Sequence, residues 1–129
     1  MGYYMHMNNQ KFEIKNENKE KALELLKKLA RKNEDLSWPD NELLLASTTL
    51  GDALLKCCYE IEEDDNGNIF GIWFIGEKLG EDYEILNAIA PAVENGSYVQ
   101  MVGEDGEFWR WIFKDGECKE ISPKIIWKK

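Results

Sequence analysis

Three short segments near the C-terminal end, separated by glycine-containing turns, constrain the fold of this chain more than any other feature. Residues 98–102, 108–113 and 117–121 have the length and the side-chain pattern of strands. Gly103 lies in the connection between the first two segments, and Gly116 lies between the last two. Because short glycine turns join antiparallel neighbours, the pattern predicts a three-stranded antiparallel meander.

The periodicity of apolar residues upstream predicts a strand followed by two helices. Residues 3–14 alternate apolar and polar side chains, with one polar interruption. A helix capped by Asn16 or Asn18 follows, because apolar residues then recur every three or four positions. These positions are Ala22, Leu25, Leu26 and Leu29. A second helix is predicted from Thr49, because its hydroxyl and the Asp52 carboxylate can satisfy free backbone N–H groups.

The middle of the chain predicts a β-hairpin and a third helix. Residues 58–62 alternate in polarity, and Gly67 suits the positive φ of a tight turn. Residues 69–75 are a nearly continuous apolar run, so we expect a central strand with both faces covered. Residues 82–94 are predicted as the third helix, which Pro91 ends or kinks.

The predicted order is β-α-α-β-β-α-β-β-β within a single domain of residues 1–129. Helices packed on one face of an antiparallel sheet suit this order. We therefore predict an α+β fold with an antiparallel sheet of about five to six strands and helices on one face. Residues 33–48 are predicted as a loop in which Trp38 precedes a proline. Residues 125–127 are expected either to extend the sheet edge or to fold over the sheet.

The charge of the chain limits its partners. There are 16 basic and 25 acidic residues, a net charge of −9, whereas residues 11–32 alone carry eight Lys or Arg against four Glu. An acidic body argues against direct nucleic-acid binding, because that affinity comes from cations that neutralise phosphates. A protein partner, including a basic one, or mimicry of nucleic acid stays open. A charge of this size also serves solubility alone.

The sequence predicts a cytoplasmic protein with no membrane association. No apolar run reaches the roughly 18 residues that a membrane span needs. The N-terminal residues lack the basic start and apolar stretch of a signal peptide. Three cysteines without framework spacing, Cys57, Cys58 and Cys118, fit a reducing compartment. The oligomeric state stays open.

Two motifs are near misses for ligand binding. Asp64 opens a run that resembles the start of a calcium loop, but Ile69 stands where that loop needs glycine. Residues 71–78 resemble a phosphate loop, but their interior is bulky and no lysine directly follows the second glycine. We interpret the first as a hairpin turn and the second as a strand ending in a turn. Neither a cofactor nor a metal is predicted.

A cysteine nucleophile would need a base to activate it. His6 is the only histidine, and Cys57 and Cys58 fall on an apolar helix face, where cysteine behaves as a small hydrophobe. The many paired acids lie at turns, where water solvates them. No catalytic residue is therefore predicted.

The most unusual feature is the aromatic segment 108–113. Strand alternation divides it into two faces, with Trp109, Trp111 and Phe113 on one and Phe108, Arg110 and Ile112 on the other. One face should pack against the helices. If the other is open, it offers an aromatic patch beside Arg110, a composition typical of binding hot spots; alternatively, both faces are covered. The candidate binding residues are Trp109, Arg110, Trp111 and Phe113.

Several stretches of sequence, most of them in the second half of the chain, carry a family resemblance. They are residues 1–5, 74–80, 85–91, 96–98, 103–106 and 109–116. Together they resemble a family of small uncharacterised bacterial proteins that are often carried on phages or other mobile elements. The resemblance implies no catalytic or binding residues, but it implies a context, since accessory proteins of mobile elements often bind and block a host protein.

Two functional hypotheses follow. The first is a non-enzymatic acidic protein-binding module, such as an accessory inhibitor or anti-defence protein of a mobile element. The second is a small ligand-binding domain or enzyme with a pocket between sheet and helices, lined by Tyr59, Trp73 and Trp111, with Glu77 or Glu81 nearby. A deep pocket holding carboxylates of raised pKa would favour the second.

Overall fold

The computed structural model describes residues 2–32 and 41–128, so residues 33–40 of the predicted loop, Trp38 among them, lie outside it. The second half of that predicted loop contains a short helix, Asn41–Leu45. The described residues form four α-helices, which are α1 (Lys19–Lys32), α2 (Asn41–Leu45), α3 (Leu50–Lys56) and α4 (Asp82–Ile89). They also form six strands, which are β1 (Met5–Lys11), β2 (Tyr59–Glu63), β3 (Ile69–Phe74), β4 (Tyr98–Gly103), β5 (Phe108–Lys114) and β6 (Glu117–Ile121). The predicted α+β class is confirmed.

Local chemistry accounts for the ends of the helices. The hydroxyl of Thr49 accepts a hydrogen bond from the backbone N–H of Asp52 at 3.1 Å, which caps α3 as predicted. Helix α4 ends at Ile89, and the chain tightens into a 3₁₀ turn at Ala90–Ala92 that contains Pro91. The ring of proline cannot continue an α-helix, which explains why the predicted third helix is shorter than residues 82–94. No helix in the described part of the chain is long and apolar enough to cross a membrane.

The six strands are divided between two sheets instead of one. The larger sheet is antiparallel with the order β1-β4-β5-β6, and β2 and β3 form a separate hairpin. Two isolated β-bridges between described residues join the hairpin region to the segments on either side of β1. Tyr4 pairs with Lys78, and Ile14 pairs with Ile69. Between them, the backbone N–H of Ile72 donates to the side chain of Gln10 at 3.3 Å. A bulge between Met7 and Asn9 disturbs β1 locally, and bulges bend a strand and increase its twist.

The expectation that residues 69–75 form a central strand with both faces covered is wrong. Strand β3 pairs only with β2 in its two-stranded sheet. Phe70 and Trp73 are exposed, whereas Ile69 and Ile72 are buried. The sequence of a strand does not show which of its faces other elements will cover. The apolar run of residues 69–75 alone therefore predicted more burial than the structure has.

One hydrophobic core lies between the four-stranded sheet, the helices and the hairpin. Helix α1 contributes Ala22, Leu26 and other apolar residues, and α4 contributes Ile85 and Leu86. The inner face of the sheet contributes Trp111, which is among the largest fully buried side chains. The helices that face the sheet do so on this inner side, and no helix of the described residues covers the opposite, outer face.

Candidate functional site

The two faces of β5 have opposite environments. Trp109, Trp111 and Phe113 are 7%, 1% and 2% exposed and belong to the core. Arg110 points to the outer face, together with Phe108, which is 45% exposed. Trp111 and Phe113 are therefore packed in the core, whereas Trp109, although mostly buried, lines surface pockets. Arg110 alone of the four predicted binding residues projects from the outer face.

The strand register extends this outer face across all four strands. Tyr98 lies opposite Ile112, Gln100 opposite Arg110, and Val102 opposite Phe108. Paired residues project from the same side of a sheet. The outer face therefore consists of His6, Asn9, Lys11, Tyr98, Gln100, Val102, Phe108, Arg110, Ile112, Lys114, Glu117, Lys119 and Ile121. Its apolar members cluster around Arg110.

Arg110 is held in place at the centre of the outer face. Its Nε donates to the side-chain oxygen of Gln100 at 2.7 Å, and its guanidinium carbon lies 4.2 Å from the centre of the Tyr98 ring. Gln100 in turn donates to the side chain of Asn8 at 3.1 Å. Within the described chain, Arg110 makes no other hydrogen bond or ion pair, so the remaining guanidinium N–H groups can bind an external acceptor.

The outer face has the opposite charge to the chain as a whole. It carries four cations, Lys11, Arg110, Lys114 and Lys119, and one acid, Glu117, a net charge of +3. Since the chain carries −9, all other residues together carry −12. None of the four ion pairs between described residues involves any of these cations. The face is therefore a positively charged surface with an apolar cluster around Arg110, on a protein that is acidic as a whole.

A shallow groove of about 310 Å³ lies on this face. Its walls include Phe108, Arg110, Ile121 and Pro123. The residues after β6 pass along it, but they neither extend the sheet edge nor fold over the sheet, because residues 125–127 are more than 80% exposed. Residues 125–127 therefore do not close the groove.

The cysteines lack the environment of a nucleophile. Burial raises the pKa of Cys57 and of Cys118 to about 12, and burial also raises the pKa of Cys58. The thiolate is the reactive form, so these thiols are poor nucleophiles at neutral pH. No hydrogen bond joins His6 to a cysteine within the described residues, and His6 is exposed on the outer face.

A buried carboxylic acid lies at the start of α4. The Tyr59 hydroxyl donates to Asp82 Oδ2 at 2.6 Å, and the backbone N–H of Gly80 donates to Oδ1 at 2.7 Å. Burial raises the pKa of Asp82, while these two hydrogen bonds act in the opposite direction. Burial and the neighbouring Asp82 raise the pKa of Tyr59 well above its ordinary value. Both carboxyl oxygens of Asp82 thus accept hydrogen bonds from other residues of the fold, which is typical of a carboxyl with a structural role.

The residues predicted to line a pocket are not brought together. Tyr59 and Trp111 are buried in the core, whereas Trp73 is exposed and donates its indole N–H to Glu62 at 2.5 Å. Glu77 borders only shallow depressions on the surface. The structure therefore gives no geometric support to a shared cavity of these residues.

The calcium-like run is a hairpin turn. Asp64 Oδ1 accepts the backbone N–H groups of Asn66 and Asn68, both at 2.9 Å, and Gly67 has a φ of 79°. The carboxylate thus satisfies the N–H groups of its own turn. Among residues 2–32 and 41–128, no cluster of three or more His, Cys, Asp or Glu is placed to hold a metal ion.

Sequence reasoning missed most of the outer face. Tyr98 and Lys119 came to the site through the register of three strands, which the sequence of a single strand does not contain. The signal in the sequence that could have located this face is Arg110. Burying a charged side chain is costly, so the face of a strand that carries one is expected to stay exposed.

Comparisons with protein-family models, with curated proteins and with solved structures found no match for this chain.

Proposed function

We propose that this chain is a non-enzymatic protein-binding module and that its binding surface is the outer face of the four-stranded sheet. The observation that carries the proposal is the exposed apolar cluster around Arg110, which no helix covers. Arg and aromatic side chains at the centre of an interface contribute most of the binding energy in many complexes. Exposed apolar patches on a small protein commonly mark interaction sites.

The partner segment is expected to be apolar with acidic residues. The charge of the whole chain favours a basic partner, but a partner responds most strongly to the charge nearest to it, because salt screens distant charges. The face carries +3 and Arg110 has unused donors, which suits a carboxylate on the partner. The −12 on the rest of the chain repels nucleic acid, so we favour protein over single-stranded nucleic acid.

The non-enzymatic part of the proposal rests on the state of the reactive groups. The cysteines carry raised pKa values, and the Asp82 carboxyl is bound by Tyr59 and Gly80. We further propose that the module acts in the cytoplasm, in keeping with three free cysteines. A role as an inhibitor of a host protein is the biological setting that the family resemblance implies.

The test is affinity capture from lysate of the source organism with three tagged forms of the chain. The double variant F108S/R110Q removes the apolar anchor and the charge of the outer face. The matched control is F70S, because Phe70 is 51% exposed on the separate hairpin. We expect a partner that wild type and F70S retain and that F108S/R110Q loses.

Two results would overturn the proposal. One is a partner that F108S/R110Q retains as well as wild type does. The other is tight binding of a single-stranded oligonucleotide that depends on Arg110, which would make the face a nucleic-acid surface. Circular dichroism of all three forms checks that each is folded, as we expect because the three substituted positions are exposed or partly exposed.

A further inference from the structure

A second concave site lies at the other side of the sheet, where β5 and β6 meet the start of the chain. It is a pocket of about 250 Å³ lined by Tyr3, Leu79, Glu107, Trp109 and Glu120. Glu120 lies opposite Trp111 in the register, so it projects from the inner side of β6. The pocket therefore does not belong to the outer face that the proposed function uses.

Tyr3 forms one wall and is fixed from two directions. Its hydroxyl donates to the carboxylate of Asp105, and the pKa of Tyr3 is raised to about 12, chiefly by that hydrogen bond. Its ring occupies the space over Gly103, where a Cβ would lie 2.0 Å from the hydroxyl oxygen. The Tyr3 and Trp109 rings are 6.3 Å apart, centre to centre. The aromatic walls are thus pre-formed.

The charges at the pocket are all negative. Glu107 and Glu120 line it, Asp105 lies beside it, and no Lys or Arg is among the lining residues. Neither glutamate takes part in an ion pair between described residues. Aromatic rings together with carboxylates form a favourable environment for an organic cation.

One polar group at the pocket lacks a partner. Trp109 is only 7% exposed, and its indole Nε1 has no hydrogen-bond acceptor among the described residues. A buried N–H without an acceptor is unfavourable. Because the Nε1 atom is itself buried, Trp109 lines the pocket with the carbon atoms of its ring.

We infer that this pocket binds an arginine side chain of a partner protein. The guanidinium stacks on the aromatic walls and pairs with Glu107 and Glu120. Arginine fits better than lysine, because its planar fork can stack and form paired hydrogen bonds at once. The acidic side of the chain thus has a specific contact for a basic partner residue, separate from the outer face.

The test is a titration of the full ¹⁵N-labelled chain with the peptide acetyl-Gly-Arg-Gly-amide, followed by NMR. The indole resonance of Trp109 is assigned by its absence from a W109F variant. We expect this resonance to shift saturably with the arginine peptide. The same peptide with citrulline, which is neutral and of equal shape, should bind at least about tenfold more weakly, because the charge-assisted contacts are lost.

Variants separate the pocket from nonspecific attraction. E107Q/E120Q should weaken the arginine peptide by about tenfold or more, whereas E117Q, on the outer side of β6, should change its affinity less than about twofold. F108S/R110Q should bind the peptide as wild type does, so that this site and the proposed function can fail independently. The inference is overturned if citrulline binds equally well, if E117Q weakens binding as much as E107Q/E120Q, or if the Trp109 resonance does not move.

Discussion

The two faces of strand β5 share one backbone, yet they have different environments. The inner face, Trp109, Trp111 and Phe113, forms part of the core. The outer face, Phe108, Arg110 and Ile112, is the centre of an open positively charged surface. The aromatic residues of a strand therefore do not by themselves locate a binding site. The covering layer decides whether an aromatic ring stabilises the fold or is available to a partner.

A pair of truncations on the two faces should give the largest difference. W111A removes a side chain that is 1% exposed, and we expect a loss of about 3–5 kcal/mol in the free energy of unfolding because a cavity remains. F108A should cost less than about 1 kcal/mol, because its side chain is half in solvent. Urea denaturation measures both. Equal losses would show that the outer face is also packed.

The buried hydrogen bond between Tyr59 and Asp82 gives a second stability prediction for the core. Y59F removes the hydroxyl that donates to Asp82 Oδ2 and leaves a buried carboxyl oxygen without its donor. We expect a loss of about 1–3 kcal/mol, again by urea denaturation. The control is Y83F, since Tyr83 lies exposed on α4 and its loss should be close to zero. A Y59F variant as stable as Y83F would mean that water replaces the hydroxyl.

The same contact predicts a pH dependence. Burial raises the pKa of Asp82 in the folded chain, so the folded chain holds this proton more tightly than the unfolded chain does. That contribution to stability is present below about pH 4 and is lost as the pH rises through the raised pKa. The stability of wild type relative to D82N should therefore be greatest in acid and should decrease as the pH rises. D65N, in an exposed turn, is the control, and a difference that increases with pH would contradict the assignment.

The smallest effect on stability is expected at the outer face. R110A removes the 2.7 Å bond to Gln100 and the contact with the Tyr98 ring, but both contacts are partly solvated. We expect a loss of no more than about 1 kcal/mol by thermal denaturation. R110K keeps the charge without the planar fork and tests whether stacking contributes. A loss comparable to that of W111A would assign Arg110 a structural role in place of a binding one.

Much of the fold could be predicted because its signals are local. The cap at Thr49, the turn at Gly67 and the meander of β4 to β6 each depend on a few neighbouring residues. The division into two sheets could not, because it depends on how the chain around β1 meets β3 at isolated bridges. Those contacts join positions far apart in the sequence, and no short pattern encodes them.

The sequence by itself determined that Trp109, Trp111 and Phe113 share one face and that Arg110 lies on the other, because side chains alternate along a strand. It also determined that burying the face of Arg110 would be costly, since a buried cation needs a paired charge. Only the tertiary structure decided that the helices cover the tryptophan face and that residues 125–127 leave the opposite face open. The physical reason is that the elements which cover a sheet face are distant from it in sequence. Their packing depends on the total apolar surface that all the elements bury together.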